Sequence, residues 1–248
     1  MDLGLKGLKA MVTGSTAGIG AAIAETLAKD GCDIAICSRG QDKVDAMLQK
    51  LAAYGGRHIG RALDVTDSAA FQAWVTDAAE QLGGIDIFVA NVSAMTTDWQ
   101  KTVSTDILGT VAGVDAVLPH LLQSRNASIV YISSIAGLVG VPQLASYGAA
   151  KAAMTHYMKS LAVQLVKKGV RVNAVAPGDI LFEGGVWDRA QKERPEYFAK
   201  VLRRNPMGRL GTPQEIANVV AFLASPAASF VTGTHVVADG GNTQHVHV

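Results

Sequence analysis

The sequence predicts an α/β protein built on a doubly wound, seven-stranded parallel sheet with helices on both faces. Two observations carry that prediction. Short β-branched runs recur at roughly 25–45-residue intervals, and helical patterns fill the stretches between them. A third observation marks the ligand edge. A glycine-rich turn follows the first run, and ligands in such folds bind just beyond the carboxyl ends of the strands.

Taken in order, the strand-like runs are 10–13, 33–38, 58–63, 85–90, 128–133, 170–175 and 234–237. After the first, Ile19, Ile23 and Leu27 share one helical face. Trp74, Ala78 and Leu82 do so within 67–82, and Val111, Val114, Leu118 and Leu121 within 100–123. Alternating strands and helices require right-handed crossovers and a sheet covered on both sides. The strip Val114, Leu118, Leu121 reads as core or subunit interface. The stretch 178–206 breaks the regularity. It follows a strand end, carries Phe182, Trp187, Tyr197 and Phe198, and is expected to be a mobile cover over a site. No repeat or linker divides the 248 residues, which read as one domain, 1–248.

Composition narrows the function. Apolar residues make up 49% and charged residues 17%, which is globular and not disordered. Lys+Arg 22 against Asp+Glu 21 leaves a net +1 with no basic block. That balance argues against nucleic acid or an anionic membrane as partner. The uncharged stretches 126–150 and 216–238 are too interrupted by Ser, Asn, Thr and Pro to span a bilayer. Without a signal-like apolar start, a cytoplasmic location is expected. Cys32 and Cys37 then read as buried thiols. His58, His120, His156 and His235 have no ligand spacing, and the alternating His245 and His247 read as a frayed tail, so no metal site is expected.

Thr13-Gly14-Ser15-Thr16-Ala17-Gly18-Ile19-Gly20 joins the first strand to the first helix. Glycines at Gly14, Gly18 and Gly20 let the backbone turn tightly, and the free N–H groups of a helix N-terminus suit a pyrophosphate. An enzyme reading NAD(H) places an acid at the end of the second strand for the ribose 2′-hydroxyl. Here that end reads Ser38-Arg39, with Asp33 at the wrong end and Asp42 beyond the turn. Arg39 can instead clamp a 2′-phosphate. NADP(H) is therefore favoured, with NAD(H) the alternative. Asp64-Val65 and Asn91 close the third and fourth strands. Each can meet the cofactor or serve as a turn residue.

Tyr147 and Lys151 lie four apart on an expected helix and so share a face. A phenol is a poor base at neutrality, and a neighbouring ammonium lowers its pKa. A fall of about 3 units corresponds to roughly 4 kcal/mol. Tyr147 can then exchange a proton with a substrate oxygen. Ser134, just past the fifth strand, can hold that oxygen beside it.

These residues together resemble the short-chain dehydrogenase/reductase family in its common single-domain branch. The likeness runs from the turn at Thr13–Gly20 and the pair Asp64-Val65 to Ser134, Tyr147 and Lys151. It continues through Pro177-Gly178 to Asp239-Gly240-Gly241. In overall pattern it is nearest to the 3-oxoacyl-(acyl-carrier-protein) reductases. The resemblance implies a Rossmann sheet in the order 3-2-1-4-5-6-7, Tyr147 as acid/base, Ser134 orienting the carbonyl and Lys151 bonding the nicotinamide ribose. It further implies a nicotinamide held along Pro177, Gly178 and Ile180, and a homotetramer.

Four departures stand out. The family's Asn-Asn-Ala-Gly is here Ala90-Asn91-Val92-Ser93. Its catalytic Asn aligns with Asp106, which leaves that position's role in doubt. Only five residues separate Ser93 from Trp99, and Phe182 stands where the family has a Thr near the carboxamide. The expected substrate is a fairly large or apolar carbonyl compound contacted by Ser93, Phe182, Trp187 and Tyr197.

The expected activity is NADP(H)-dependent interconversion of a ketone and a secondary alcohol. The alternatives are an NAD-dependent secondary-alcohol, hydroxysteroid or diol dehydrogenase, and a non-catalytic nucleotide-binding regulator. The intact Ser134, Tyr147, Lys151 set weighs against the last.

Overall fold

A computed structural model describes residues 2–244; the histidine pair at 245 and 247 lies outside them. The strands are β1 (Lys9–Thr13), β2 (Asp33–Ser38), β3 (His58–Ala62), β4 (Ile87–Ala90), β5 (Ser128–Ile132), β6 (Arg171–Pro177) and β7 (His235–Ala238). They form one parallel sheet in the order β3-β2-β1-β4-β5-β6-β7. Each expected run became a strand within about two residues, the usual uncertainty of strand ends.

Both faces are buried, because alternate side chains go to opposite sides of a pleated strand. From β1 and β2, Val12, Ile34 and Ile36 join one core layer, whereas Met11, Ala35 and Cys37 join the other. The first layer is covered by α1 (Gly18–Lys29), α2 (Gln41–Leu51) and α9 (Pro213–Ala224), through Ile23, Leu27, Val44, Ile216 and Val220. The second is covered by α3 (Ser68–Leu82), α5 (Gly109–Leu121) and α6 (Ala145–Leu165). Trp74, Val114, Val117 and Met154 fill it, and Leu121 is core as read from sequence. Cys32 and Cys37 are free, buried thiols, each with its pKa raised to about 12, chiefly by burial. No helix among the described residues is long and apolar enough to cross a membrane.

Two elements differ from the sequence expectation. The helix expected over 100–123 runs as α4 (Trp99–Thr102), a π-helical stretch at Val103–Leu108 and then α5. A π-bulge inserts a residue into the helical repeat, and such insertions concentrate at functional sites. The segment 178–206 is also more ordered than an irregular cover. It contains α7 (Val186–Glu193) and α8 (Pro195–Arg204). Pro195 starts α8, Glu196 sits in its first turn and Arg203 and Arg204 in its last, as the helix dipole favours. Phe198 and Val201 pack with Leu210 in a small cluster of their own, joined by Leu181, Trp187 and Leu202. At eight and ten residues, both helices are too short for their apolar face to repeat over more than about two or three turns in the sequence.

The parallel strands all end at one edge. The sheet order reverses direction between β1 and β4, and this is the switch point at which doubly wound folds hold ligands. Gly14, Asn91, Ser134 and Gly178 follow strand ends along that edge, and Ser38 and Pro177 are the last residues of theirs.

Candidate active site

Ser134 lies two residues past β5 with an extended backbone, and it caps the 3-10 turn Ile135–Gly137. Its Oγ accepts the Ala136 N–H at 3.1 Å, which fixes the side chain and leaves its proton free to donate. Tyr147 and Lys151 come from the first turns of α6 and are both buried. Two glycines let this turn and helix touch. A Cβ on Gly137 would stand 2.9 Å from the Ala152 nitrogen, and one on Gly148 2.7 Å from the Ala136 oxygen. The hydroxyls of Ser134 and Tyr147 are thereby brought close enough for Ser134 to favour the phenolate. Sequence reasoning missed both glycines, although their places three after Ser134 and one after Tyr147 were the available signal.

Lys151 is only 2% exposed. Its ammonium donates to the Ile132 carbonyl at 2.9 Å and lies 4.8 Å from the Tyr131 ring centre and 5.6 Å from that of Tyr147. It also pairs with Asp106 Oδ1 at 3.8 Å. Asp106, on the π-helical stretch, is fully buried. It accepts hydrogen bonds from the Ser93 hydroxyl and, at 2.9 Å, from the Ala94 N–H. Burial pulls the Lys151 pKa down to about 8, with Asp106 opposing. Burial likewise pushes Tyr147 above the usual phenol value; the Ser134 hydrogen bond opposes the rise and Asp106 adds to it. The expectation that Lys151 pulls the phenol down is therefore corrected. Desolvation and a buried carboxylate outweigh the ammonium, and Tyr147 is a phenol, a proton donor, at neutrality.

At the glycine turn, Gly14 and Gly18 take φ of +63° and +53°, the left-handed region that favours glycine. Gly20 permits the closest approach, since a Cβ there would stand 2.2 Å from the Gly14 oxygen. Ala17, the N-cap of α1, offers no side chain to the first-turn amides. Those N–H groups, with Ile19 among them, remain for an anion. The Ser15 hydroxyl turns inward to the Cys37 carbonyl. Asn91 donates its amide to the Thr13 and Gly14 carbonyls at 3.1 Å each. It braces the turn while lining the cleft.

At the end of β2, the Thr16 hydroxyl donates to Ser38 Oγ at 2.9 Å, and Arg39 is exposed beside them. Asp64 spends Oδ1 on the Thr66 N–H and hydroxyl. Its pKa is lowered first by that N–H, with the positive charge of Arg39 a smaller cause. Val65 is half-buried, its carbonyl facing Gly109. A turn that can receive a pyrophosphate, with two hydroxyls and a guanidinium at the ribose end, fits a nicotinamide dinucleotide.

A cavity of about 750 Å³ joins the turn to Tyr147 and Lys151. Ser93, Pro177, Gly178, Ile180, Phe182, Trp187 and Tyr197 all line it, so the four expected substrate contacts reach one cleft. Phe182 lies against the phosphate turn, where a Cβ on Gly18 would stand 2.7 Å from its ring. Trp187 and Tyr197 stack with ring centres 6.0 Å apart, and Arg194 lies 5.1 Å over Tyr197. Met95, Val139, Val141, Leu144 and Arg194 complete the walls. They carried no sequence signal, because nothing local marks a loop residue as facing a cleft.

Residues 14–243 match the family model described as enoyl-(acyl carrier protein) reductase. Isoepoxydon dehydrogenase of Penicillium expansum is 38% identical over 97% of this chain and 96% of its own. The 3-oxoacyl-(acyl-carrier-protein) reductase of Chlamydia pneumoniae is 31% identical over 98% of this chain and all of its own. Among solved structures, L-sorbose reductase of Gluconobacter frateurii, complexed with NADPH and L-sorbose, superposes with a TM-score of 0.93 at 28% identity, covering 99% of this chain and 100% of that one. A 7α-hydroxysteroid dehydrogenase with NADH and 7-oxo glycochenodeoxycholic acid gives 0.91 at 30% identity, covering 99% and 98%. The chain belongs to the short-chain dehydrogenase/reductase family and is an NAD(P)-dependent oxidoreductase acting on CH–OH and C=O groups.

Proposed function

We propose that this chain interconverts a ketone and a secondary alcohol with NADP(H), using Tyr147 as acid and base. The observation that carries the reading is that Ser134 and Tyr147, backed by the Lys151 ammonium, line the same cleft as the glycine turn. The bound nicotinamide supplies the hydride for reduction and takes it up in oxidation. In the reducing direction the Ser134 hydroxyl holds the carbonyl oxygen beside Tyr147. Tyr147 gives its proton to that oxygen as the C=O becomes CH–OH, and the Lys151 ammonium stabilises the phenolate left behind. Oxidation runs the same proton path in reverse. Asp64, Asn91, Pro177, Gly178 and Ile180 line the cofactor's course, and 178–206 covers the substrate.

Preference for NADP(H) rests on Thr16, Ser38 and Arg39, where a carboxylate for a 2′-hydroxyl is wanting. The NADPH of the sorbose reductase complex supports it; the NADH of the hydroxysteroid dehydrogenase keeps the NAD-dependent alcohol dehydrogenase as the second reading. The apolar walls and the stacked Trp187 and Tyr197 support a fairly large carbonyl substrate. A homotetramer belongs to the same reading and is tested by sedimentation.

Titration with NADPH and NADH by nicotinamide fluorescence, followed by a ketone panel, tests the proposal. Tighter NADPH binding and ketone reduction that is lost in Tyr147→Phe support it. Tighter NADH binding overturns the cofactor assignment, and turnover that survives Tyr147→Phe overturns the mechanism.

A further inference from the structure

Two departures from the family pattern, thirteen residues apart and in no common sequence motif, meet in the structure. The Ser93 hydroxyl donates to Asp106 Oδ1, the Ala94 N–H donates to Oδ2 at 2.9 Å, and the Lys151 ammonium lies 3.8 Å from Oδ1. Every group facing the carboxyl is a donor, the arrangement an ionised carboxylate requires, since it can only accept. From this geometry we infer that Asp106, held by Ser93, is a positioning residue whose negative charge keeps the Lys151–Tyr147 pair in its protonated, proton-donating form. The inference rests on the acid/base reading of Tyr147.

The physical case is a balance of charge in a dry site. Lys151 is buried and would shed its proton without a counter-charge. Among the described residues, Asp106 is the one carboxylate in ion-pair range of it. The other titratable groups facing the pair are phenols. Tyr131, from β5, sits under the ammonium, and its hydroxyl is buried with no hydrogen-bond partner. Burial, with Asp106 and Tyr147 adding, holds Tyr131 well above the usual phenol value. It therefore stays neutral and cannot replace Asp106.

Tyr147 and Lys151 titrate as a coupled pair, and removing one nearby negative charge lowers both of its steps, whichever residue loses a proton first. Reduction uses the fully protonated pair and oxidation uses the pair with one proton gone. In either direction the pH limits of activity must then move to lower pH when Asp106 loses its charge.

The experiment follows tyrosinate absorbance against pH in the full-length protein, with Tyr147→Phe identifying the Tyr147 step, and pairs it with pH–rate profiles in both directions. Asp106→Asn should move the Tyr147 step and the activity limits down by about one unit or more, the scale of a charge pair at this distance. An unmoved or upward step overturns the inference. The absorbance needs no turnover, so a shifted step in a protein that reduces no ketone leaves the inference standing while the catalytic reading falls. Ser93→Ala is the second variant if Asp106→Asn does not fold. Without the Ser93 hydroxyl the carboxylate is held less firmly against Lys151, and the step should move down by a smaller amount than in Asp106→Asn; no movement, or movement up, overturns the inference.

Discussion

The floor of the cleft and its rim are built on opposite principles. On the floor, Ser134, Tyr147, Lys151 and Asp106 come from a strand end, a helix and a π-helical stretch that meet inside the core, with Lys151 and Asp106 almost without exposure. On the rim, α7 and α8 rest on the small Phe198, Val201, Leu210 cluster. Their ion pairs, Lys192–Asp188 and Arg204–Asp179, have exposed basic partners. Arg39 and Tyr197 stand in water. Exposed pairs are worth little, whereas a buried charge that loses its partner is costly. On the proposed reading, reaction type is therefore locked into packing, and preference for cofactor and substrate is left where substitutions are cheap.

The strongest break in this contrast comes from removing the proton donor. Tyr147→Phe should lower kcat by about 10²–10⁴-fold, while NADPH affinity, measured by fluorescence, stays close to that of the parent. If affinity falls in step with kcat, floor and cofactor cradle are not separable. Next is the contact that builds the floor. Gly148→Ala sets a methyl 2.7 Å from the Ala136 carbonyl oxygen, and overpacking of this kind costs about 1–3 kcal/mol. Thermal unfolding should show the loss, together with a kcat deficit from a displaced Tyr147. An unchanged kcat would mean that the glycine approach does not position the pair.

Arg39→Asp probes the rim at the ribose end. A charge-assisted hydrogen bond is worth about 1.5–3 kcal/mol, so NADPH affinity should fall roughly ten- to a hundredfold and NADH affinity should hold or rise. Unfolding stability should change by no more than about 0.5 kcal/mol, as for most exposed substitutions. Equal losses for both cofactors would remove Arg39 from the 2′-phosphate and weaken the distinction between rim and floor.

How far the sequence could be read follows the same division. The central strands β1, β4 and β5 were visible because buried parallel strands are near-continuous apolar runs, and the less buried edge strands β3 and β7 by their regular spacing along the chain. The Ser134, Tyr147, Lys151 set was visible because helix spacing and a strand end are local facts. The partnership of Ser93 with Asp106 was not, because a contact between a loop and a π-helical turn depends on tertiary packing. Gly137 and Gly148 are ordinary in sequence and acquire meaning only when the turn and α6 touch. In 178–206 Phe182, Trp187 and Tyr197 line the cleft, whereas Phe198 packs in the small cluster behind it. Its helices stayed hidden, since α7 and α8 are short, eight and ten residues.

The smallest effect, and the sharpest test of the contrast, belongs to Tyr197. It is 46% exposed, stacked on Trp187 and covered by Arg194. An aromatic contact of this kind contributes about 0.5–1.5 kcal/mol, so Tyr197→Ala should raise KM for a bulky ketone by about two- to twelvefold. KM for a small ketone that reaches only Ser134 and Tyr147 should rise far less. The ratio of the two is the decisive quantity, because a general loosening of the cover would raise both alike. A differential rise makes the stacked pair a selective wall. A uniform rise makes α7 and α8 part of the floor's support, and chemistry and selectivity would then share one structural unit.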